Sequence, residues 1–384
     1  MNILVAFGTR PEAIKLFPVI HALKRKAEFN VVVCVTAQHR QMLDQVLEVA
    51  DIVPDLDLDL MRPNQSLPQI TSRILKDFDD VLQEAAPDRV MVQGDTTTAM
   101  AAALSSFYRK IPVDHVEAGL RSWDIYSPWP EEVNRKIVGS IAALHFAPTK
   151  RAADALIKEN VPRERIFVTG NTVIDALLQT QRRIGVASDL GNEVDSDVLG
   201  GGDNSRVVLV TAHRRENFDG GMERIAAALM QIVEREDVRV IFPVHPNPNV
   251  LEPMRAMLDD HPRIRLLPPQ DYVPFVRLLS RCDLVLTDSG GVQEEAPALG
   301  KPVLVMRNTT ERPEGVEAGT ALLVGTDPRL IAREALRLLN DRDHYLRMSR
   351  AHNPFGDGRA SQRIADILSR EALANTNPEL KHAS

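Results

Sequence analysis

Two cysteines, Cys34 and Cys282, are all that this chain of 384 residues carries. That scarcity excludes a disulfide framework and a cysteine-built zinc cluster, and it fits a reducing compartment. A basic excess is missing too. Lys and Arg number 46 against 53 Asp and Glu, leaving a formal net charge of −7. This argues against a nucleic-acid binder, which would show a basic surface. An anionic ligand would have to be held by local cations and backbone N–H groups. No apolar run approaches the roughly 20 residues of a membrane span. The first residues, "MNILVAFGTR", enter a strand pattern directly, with no basic segment leading into a long apolar one. The expectation is a cytoplasmic protein without a membrane association. Internal repeats and low-complexity tracts are absent. So is the GxGxxG fingerprint after the first strand, where "FGTRPEAIK" stands instead, and a dinucleotide cofactor loses its support.

What is present is an ordinary globular composition, 44% hydrophobic and 26% charged, in a chain too long for one comfortable core. Short apolar runs, β-branched on both faces, recur throughout: "NILVAFG", "VVVCVTA", "RVMVQG", "PVDHVEAG" and "LHFAPT" in the first half. "RVVLVTAH", "VRVIFPVH", "IRLLPP", "CDLVLTDSG", "PVLVMR" and "ALLVG" follow in the second. Such runs are the signature of buried parallel strands. Helical patterns over 11–27, 68–85, 97–109, 131–143 and 222–235 separate them. Strand–helix alternation implies βαβ units, and two series imply two doubly wound α/β domains. Their expected extents are 1–170 and 171–359, with a last helix at about 360–374 completing the first. Residues 186–205, rich in Gly, Asp and Ser, read as a surface insert.

In open α/β sheets, ligands gather beyond the carboxyl ends of the strands, and here those positions are unusually polar. After the first strand, Arg10 and Lys15 lie near a helix start, a natural anion site. Asp95 in "VQGDTTT" suits an N-cap, and its strand-end position also suits chemistry. Glu117 in "HVEAGLRS" follows a strand, where a buried carboxylate needs a partner or a task, and Arg121 is the candidate partner. Glu131 and Glu132 sit in the first turn of a helix, where they complement its dipole. With the other strand-end acids they also form a candidate acid/base site. His213 in "LVTAHRREN", beside Arg214 and Arg215, suits an anion, and His245 in "PVHPNP" is placed similarly. In "LTDSGGVQEEAP", Ser289, Gly290 and Gly291 can present N–H groups to a diphosphate. Arg312 follows the next strand. "DLDLDL", 55–60, alternates acids with leucines as one face of a strand-like segment does, so no metal role is assigned to it.

Taken in order, "FGTRPEAIK", "TAQHRQMLDQVL", "GDTTT", "HVEAGLR", "YSPWPEEVNR", "FVTGNTVIDAL", "HRREN", "TDSGGVQEEAP", "KPVLVMR", "TTERPEG" and "NPFGDGRAS" resemble the non-hydrolysing UDP-N-acetylglucosamine 2-epimerases of bacteria. The resemblance spans nearly the whole chain. It implies a glycosyltransferase-B-like fold of two Rossmann-like doubly wound domains facing a cleft. It implies that Ser289, Gly290 and Gly291 bind the diphosphate of a UDP-N-acetylhexosamine and that Glu295 binds the ribose. Arg10, Lys15, His213 and Arg312 would add nucleotide contacts, with Gln270 and Phe275 near the uracil. Asp95, Glu117 and Glu131 match the family's catalytic carboxylates, and His213 completes that set. Gln38, Gln41, Arg214 and His245 resemble a second, activating substrate site, with Asn64 a departure where some members carry a basic residue. The reaction implied is reversible C2 epimerisation through elimination of UDP and re-addition, without cofactor or metal, in a homodimer that feeds cell-surface polysaccharide synthesis. A hydrolysing epimerase and a transferase of the same fold are the alternatives.

Overall fold

The structure, a computed structural model, describes residues 1–36, 40–60, 62, 65–186 and 205–376. Gln38, Asn64 and nearly all of the expected insert lie outside the described residues, as does the side chain of Gln41. The chain divides into two compact units, one of Met1–Ala176 with Gly356–Ser384 and the other of Leu177–Phe355.

In the first unit the order is β1 (Asn2–Phe7), α1 (Arg10–Lys24), β2 (Asn30–Val35), α2 (Arg40–Ala50), β3 (Leu56–Asp57), α3 (Leu67–Ala85), β4 (Arg89–Gln93), α4 (Thr97–Tyr108), β5 (Val113–Val116), α5 (Glu131–Ile141), β6 (Leu144–Ala147), α6 (Lys150–Lys158) and β7 (Ile166–Val168). Helix α7 (Thr172–Val186) carries the chain into the second unit. Seven strands form one parallel sheet in the order β3-β2-β1-β4-β5-β6-β7. Local chemistry starts the helices: Thr9 and Glu12 close a capping box on α1, and Ser66 and Gln69 do so on α3. Leu4, Ala6, Val90 and Val92 of the central strands are fully buried against Ile74 and Phe78 of α3 and the alanines of α4. Each such leucine or phenylalanine contributes about 1.5–3 kcal/mol of burial. The small alanines let α4 approach the sheet closely. The "DLDLDL" segment supplies β3, an edge strand paired with β2, and Asp55 accepts the Val33 N–H at 2.8 Å.

The second unit runs β8 (Arg206–Thr211), α8 (Gly221–Val233), β9 (Val238–Pro243), α9 (Pro248–Leu258), β10 (Ile264–Leu267), α10 (Tyr272–Arg281), β11 (Leu284–Thr287), α11 (Gly290–Ala298), β12 (Val303–Val305), α12 (Pro313–Glu317), β13 (Ala321–Leu323), α13 (Pro328–Asn340) and α14 (Arg342–Ser349). Its six strands are parallel in the order β10-β9-β8-β11-β12-β13. One core joins the sheet to α8, α9 and α13, and a second joins its other face to α10 and α11. The last helix, α15 (Ala360–Thr376), returns to the first unit and packs on α1. Asp175 of α7 caps it by accepting from the Ala360 and Ser361 N–H groups at 3.1 and 2.8 Å. Both units are therefore doubly wound Rossmann-like α/β folds. No helix among the described residues is long and apolar enough to cross a membrane.

Candidate active site

Strand order reverses between β1 and β4 in the first unit and between β8 and β11 in the second. At both reversals a buried carboxylate joins the two loops that leave the strands. In the first unit it is Glu12, 1% exposed. It accepts from the Gly8 and Thr9 N–H groups at 3.1 and 2.8 Å, and from Thr96 Oγ1 across the gap at 2.6 Å. Burial raises its pKa above the usual carboxylate range, and the hydroxyl and N–H donors oppose the rise. In the second unit it is Asp288, fully buried. Its Oδ2 accepts from the N–H groups of His213 and Arg214 at 2.9 and 2.8 Å, and from Asn217 Nδ2 at 3.0 Å. Neither residue was among the sequence-level candidates. A polar residue closing an apolar strand, as Asp288 does in "LVLTD", was the one signal available.

The first unit carries three candidate carboxylates on two connections, Asp95 after β4 and Glu117 and Glu131 at the two ends of the stretch from β5 to α5. Glu117 follows β5 with φ of 63°, a left-handed conformation that costs a non-glycine residue about 1–3 kcal/mol. Its carboxylate accepts from Lys15 Nζ at 2.6 and 2.7 Å, from Asn171 Nδ2 at 3.1 Å, and from Gln93 Nε2. These donors compensate its burial. The partner is Lys15 and not Arg121, whose guanidinium turns to Glu159 at 2.6 and 2.8 Å. Arg121 lies beneath α5, close to Gly139, which directs it away from Glu117. Asp95 does not cap α4 either. Thr96 does, accepting from the Ala99 N–H at 3.0 Å, because Gly94, with φ of +68°, turns the chain one residue earlier. The Asp95 carboxylate is thereby released to pair with Arg135 of α5, and Asn134 Nδ2 holds the Asp95 backbone carbonyl at 3.0 Å. Glu131 opens α5, half-buried, with no hydrogen bond or ion pair to another described residue. Its neighbour Glu132 is fully buried and accepts from the Ser122 and Trp123 N–H groups at 3.0 and 3.1 Å. The adjacent acids thus divide between scaffold and open site. Behind them His115 contacts the Gly94 carbonyl through Nε2 at 2.7 Å. Burial pushes its pKa down to about 3, so it is neutral near pH 7. Arg10, at the start of α1, makes no hydrogen bond or ion pair with another described residue, leaving a cation available to an anion.

In the second unit Ser289 caps α11 with its hydroxyl unused in capping, and Gly290 and Gly291 form the first turn. A Cβ at Gly290 would lie 3.9 Å from Nη2 of both Arg214 and Arg312. Two guanidiniums and a helix N-terminus therefore face one spot, a strong anion site. Arg214 Nε is buried without a hydrogen-bond partner. His213, 39% exposed, stands by Asp288 and stacks on His245 with ring centroids 5.9 Å apart. Burial lowers its pKa, against the opposing pull of Asp288 and with help from Arg214 and His245. Glu294 is buried and forms an ion pair with Arg312, aiming that guanidinium. Glu295 remains half-buried on the next position. It acts electrostatically on Tyr272, whose pKa burial, first, and then this carboxylate push well up. Gln270 and Phe275 flank Tyr272 in sequence. Gln270 Nε2 donates to the Pro268 carbonyl at 2.7 Å, and Phe275 rests half-buried on the α10–α11 core. The arrangement offers charge stabilisation for a diphosphate in one unit and several positioned carboxylates in the other.

The model of the UDP-N-acetylglucosamine 2-epimerase family matches residues 21–369. The chain is 53% identical to the UDP-N-acetylglucosamine 2-epimerase of Salmonella typhimurium over 369 residues, covering 96% of this chain and 98% of that one. It is 52% identical to the enzyme of the same name from Escherichia coli, covering 97% and 100%. Among solved structures it resembles a UDP-GlcNAc 2-epimerase from Neisseria meningitidis, determined bound to UDP-GlcNAc. The TM-score is 0.87 at 46% identity, over 96% of this chain and all of that one.

Proposed function

This chain belongs to the UDP-N-acetylglucosamine 2-epimerase family, and from that premise we propose that it interconverts UDP-N-acetylglucosamine and UDP-N-acetylmannosamine by inverting C2. The C2 proton of such a sugar has no adjacent ring carbonyl, so a base alone cannot remove it. The C1–O bond breaks first, the electron pair leaves with UDP, and positive charge spreads over C1 and the ring oxygen. A base then takes the C2 proton and a C1–C2 double bond forms. An acid returns a proton to C2 from the other face, and UDP oxygen re-attacks C1. Atoms and charge balance over the cycle with UDP as both leaving group and nucleophile.

The observation that carries this reading is the trio Asp95, Glu117 and Glu131, drawn from the two connections that follow β4 and β5 at one sheet end, within a chain of this family. Each positioned proton-transfer group is worth about 10²–10⁴ in rate. Carboxylates also suit stabilisation of an oxocarbenium-like charge. Ser289, Gly290, Gly291, Arg312 and His213 receive the diphosphate and stabilise it as it departs. Glu295 accepts from the ribose hydroxyls, and Gln270 and Phe275 border the uracil. Arg214 and His245 offer a second substrate position that activates the first. The enzyme works as a homodimer in the cytoplasm and supplies a mannosamine donor for cell-surface polysaccharide. Its two free, buried cysteines support the reducing compartment.

The test is incubation with UDP-N-acetylglucosamine in D₂O followed by NMR. Deuterium at C2 in a UDP-linked mixture of gluco and manno sugars is expected. Free N-acetylmannosamine as the main product would make the enzyme a hydrolysing epimerase, and an unlabelled, unchanged substrate would refute both.

A further inference from the structure

Arg135 lies on α5 four residues after Glu131, and its two terminal nitrogens point to different elements. Nη1 meets Glu132 Oε2 at 3.2 Å within the helix. Nη2 leaves the helix and pairs with the Asp95 carboxylate, 40 residues earlier in the chain. The side chain is 13% exposed, and its Nε is buried without a partner. An intrahelical pair with Glu132 would need only one of these nitrogens. Asn134 adds a bond to the Asp95 backbone carbonyl at 3.0 Å, so α5 grips both the main chain and the carboxylate of Asp95. Glu132 in turn holds the Ser122 and Trp123 N–H groups, on the loop that continues from Glu117. One guanidinium therefore sits where the Asp95 turn, the Glu131 helix and the Glu117 loop meet.

Resting on the epimerase reading above, we propose that Arg135 is a positioning residue for the reaction: it locks Asp95 in register with Glu131 and Glu117. The other charged or titratable groups facing this junction are Glu131 and Glu132 on α5, His115 and Glu117 on and after β5, and Glu12 and Lys15 on α1. Glu12 reaches it through Thr96, Lys15 through Glu117, and His115 through the Gly94 carbonyl. Arg135 is the cation bonded directly to Asp95. A lysine in its place restores charge but not the forked geometry.

The experiment uses the full-length protein with UDP-N-acetylglucosamine, following C2 exchange in D₂O and steady-state turnover from pH 5 to 9. Arg135→Gln is expected to lower kcat about 100-fold, the scale of a misplaced catalytic group, with KM within about threefold. Arg135→Lys should recover only about tenfold of the rate, with KM again near the parent value. In an Asp95→Asn background, Arg135→Gln should add little, since the two act as a unit. A merely structural role predicts loss of folded protein, or a rise in KM alongside the fall in kcat. Arg135→Gln with parent kcat overturns the proposal, as does full additivity with Asp95→Asn. Should Arg135→Gln fail to fold, Arg135→Lys decides: parent rate overturns, slowed turnover with KM retained supports. Absence of exchange in the parent enzyme refutes the epimerase reading itself. Exchange in the parent with indifferent Arg135 variants refutes the positioning role alone.

Discussion

Replacing Lys15 by methionine tests how Glu117 is held. Lys15 is 21% exposed and Glu117 6%, with Nζ–Oε distances of 2.6 and 2.7 Å. Removing one member of a fully buried ion pair costs about 3–5 kcal/mol. Here Gln93 and Asn171 still donate to the carboxylate and water reaches Lys15, so about 2 kcal/mol is the expected loss. For a unit of this size each kcal/mol lowers Tm by roughly 2–4 °C, giving roughly 4–8 °C by calorimetry. Exchange at C2 should fall at least about 100-fold, because Glu117 would lose its orientation and its compensating charge together. UDP affinity measured by titration calorimetry should stay within about threefold, since the ammonium is already committed to Glu117. In a Glu117→Gln background the same change should cost less stability than it does alone. The reasoning fails if Lys15→Met keeps its exchange rate. It also fails if the main effect is a loss of UDP binding, which would make Lys15 a nucleotide contact, as the family resemblance suggests.

Gly290→Ala should fold normally, since its Cβ would meet Arg214 and Arg312 at an ordinary 3.9 Å, and helix propensity favours alanine by about 1 kcal/mol. Its methyl would occupy the anion position, so UDP binding by calorimetry should weaken at least about tenfold with Tm unchanged or raised; unchanged UDP affinity would remove the α11 N-terminus from the diphosphate site. Asp288→Asn turns one acceptor oxygen into a donor against three donors, at about 1–3 kcal/mol each for the bonds lost. Both Tm and UDP affinity should drop, and a fall in Tm alone would separate the Asp288 junction from binding. Acid should destabilise the first unit through His115 and His145, whose pKa values burial lowers to about 3 and about 4 from 6.5. Both groups bind protons more readily when unfolded, so their contribution is present above about pH 6.5. It fades as pH falls toward 4, by about 1.4 kcal/mol per unit per group. Denaturant titrations of His115→Gln at pH 7 and pH 5 should show a smaller acid loss than the parent; an equal loss would refute the assignment.

The fold was legible because its signals are local. Continuous β-branched runs such as "VVVCV" and "RVVLV" have one stable setting, a parallel strand buried on both faces. Between them the amphipathic stretches had to cover the sheets. The placement of the candidate residues was legible at the same level: Glu117, Asp95 and His213 follow strands, and Ser289-Gly290-Gly291 opens a helix. Elements with weak local signals escaped. The three-residue β7 owes its existence to pairing with β6. The division between units falls inside α7, at Ala176 and Leu177, where no glycine, proline or polarity change marks the sequence.

Sequence alone determined which side chains reach the strand ends, because strand periodicity and helix starts are decided within a few residues of each position. Only the tertiary structure decided which partners those side chains meet. Lys15 finds Glu117 across 102 positions, Arg135 finds Asp95 across 40, and Asp288 joins His213 across 75. Arg121, the nearer candidate for Glu117, was drawn away by Glu159, and Glu294 pairs with Arg312 across 18 positions. A charge buried in a protein takes the partner that the sheet order brings within reach, and sheet order is a property of the whole chain.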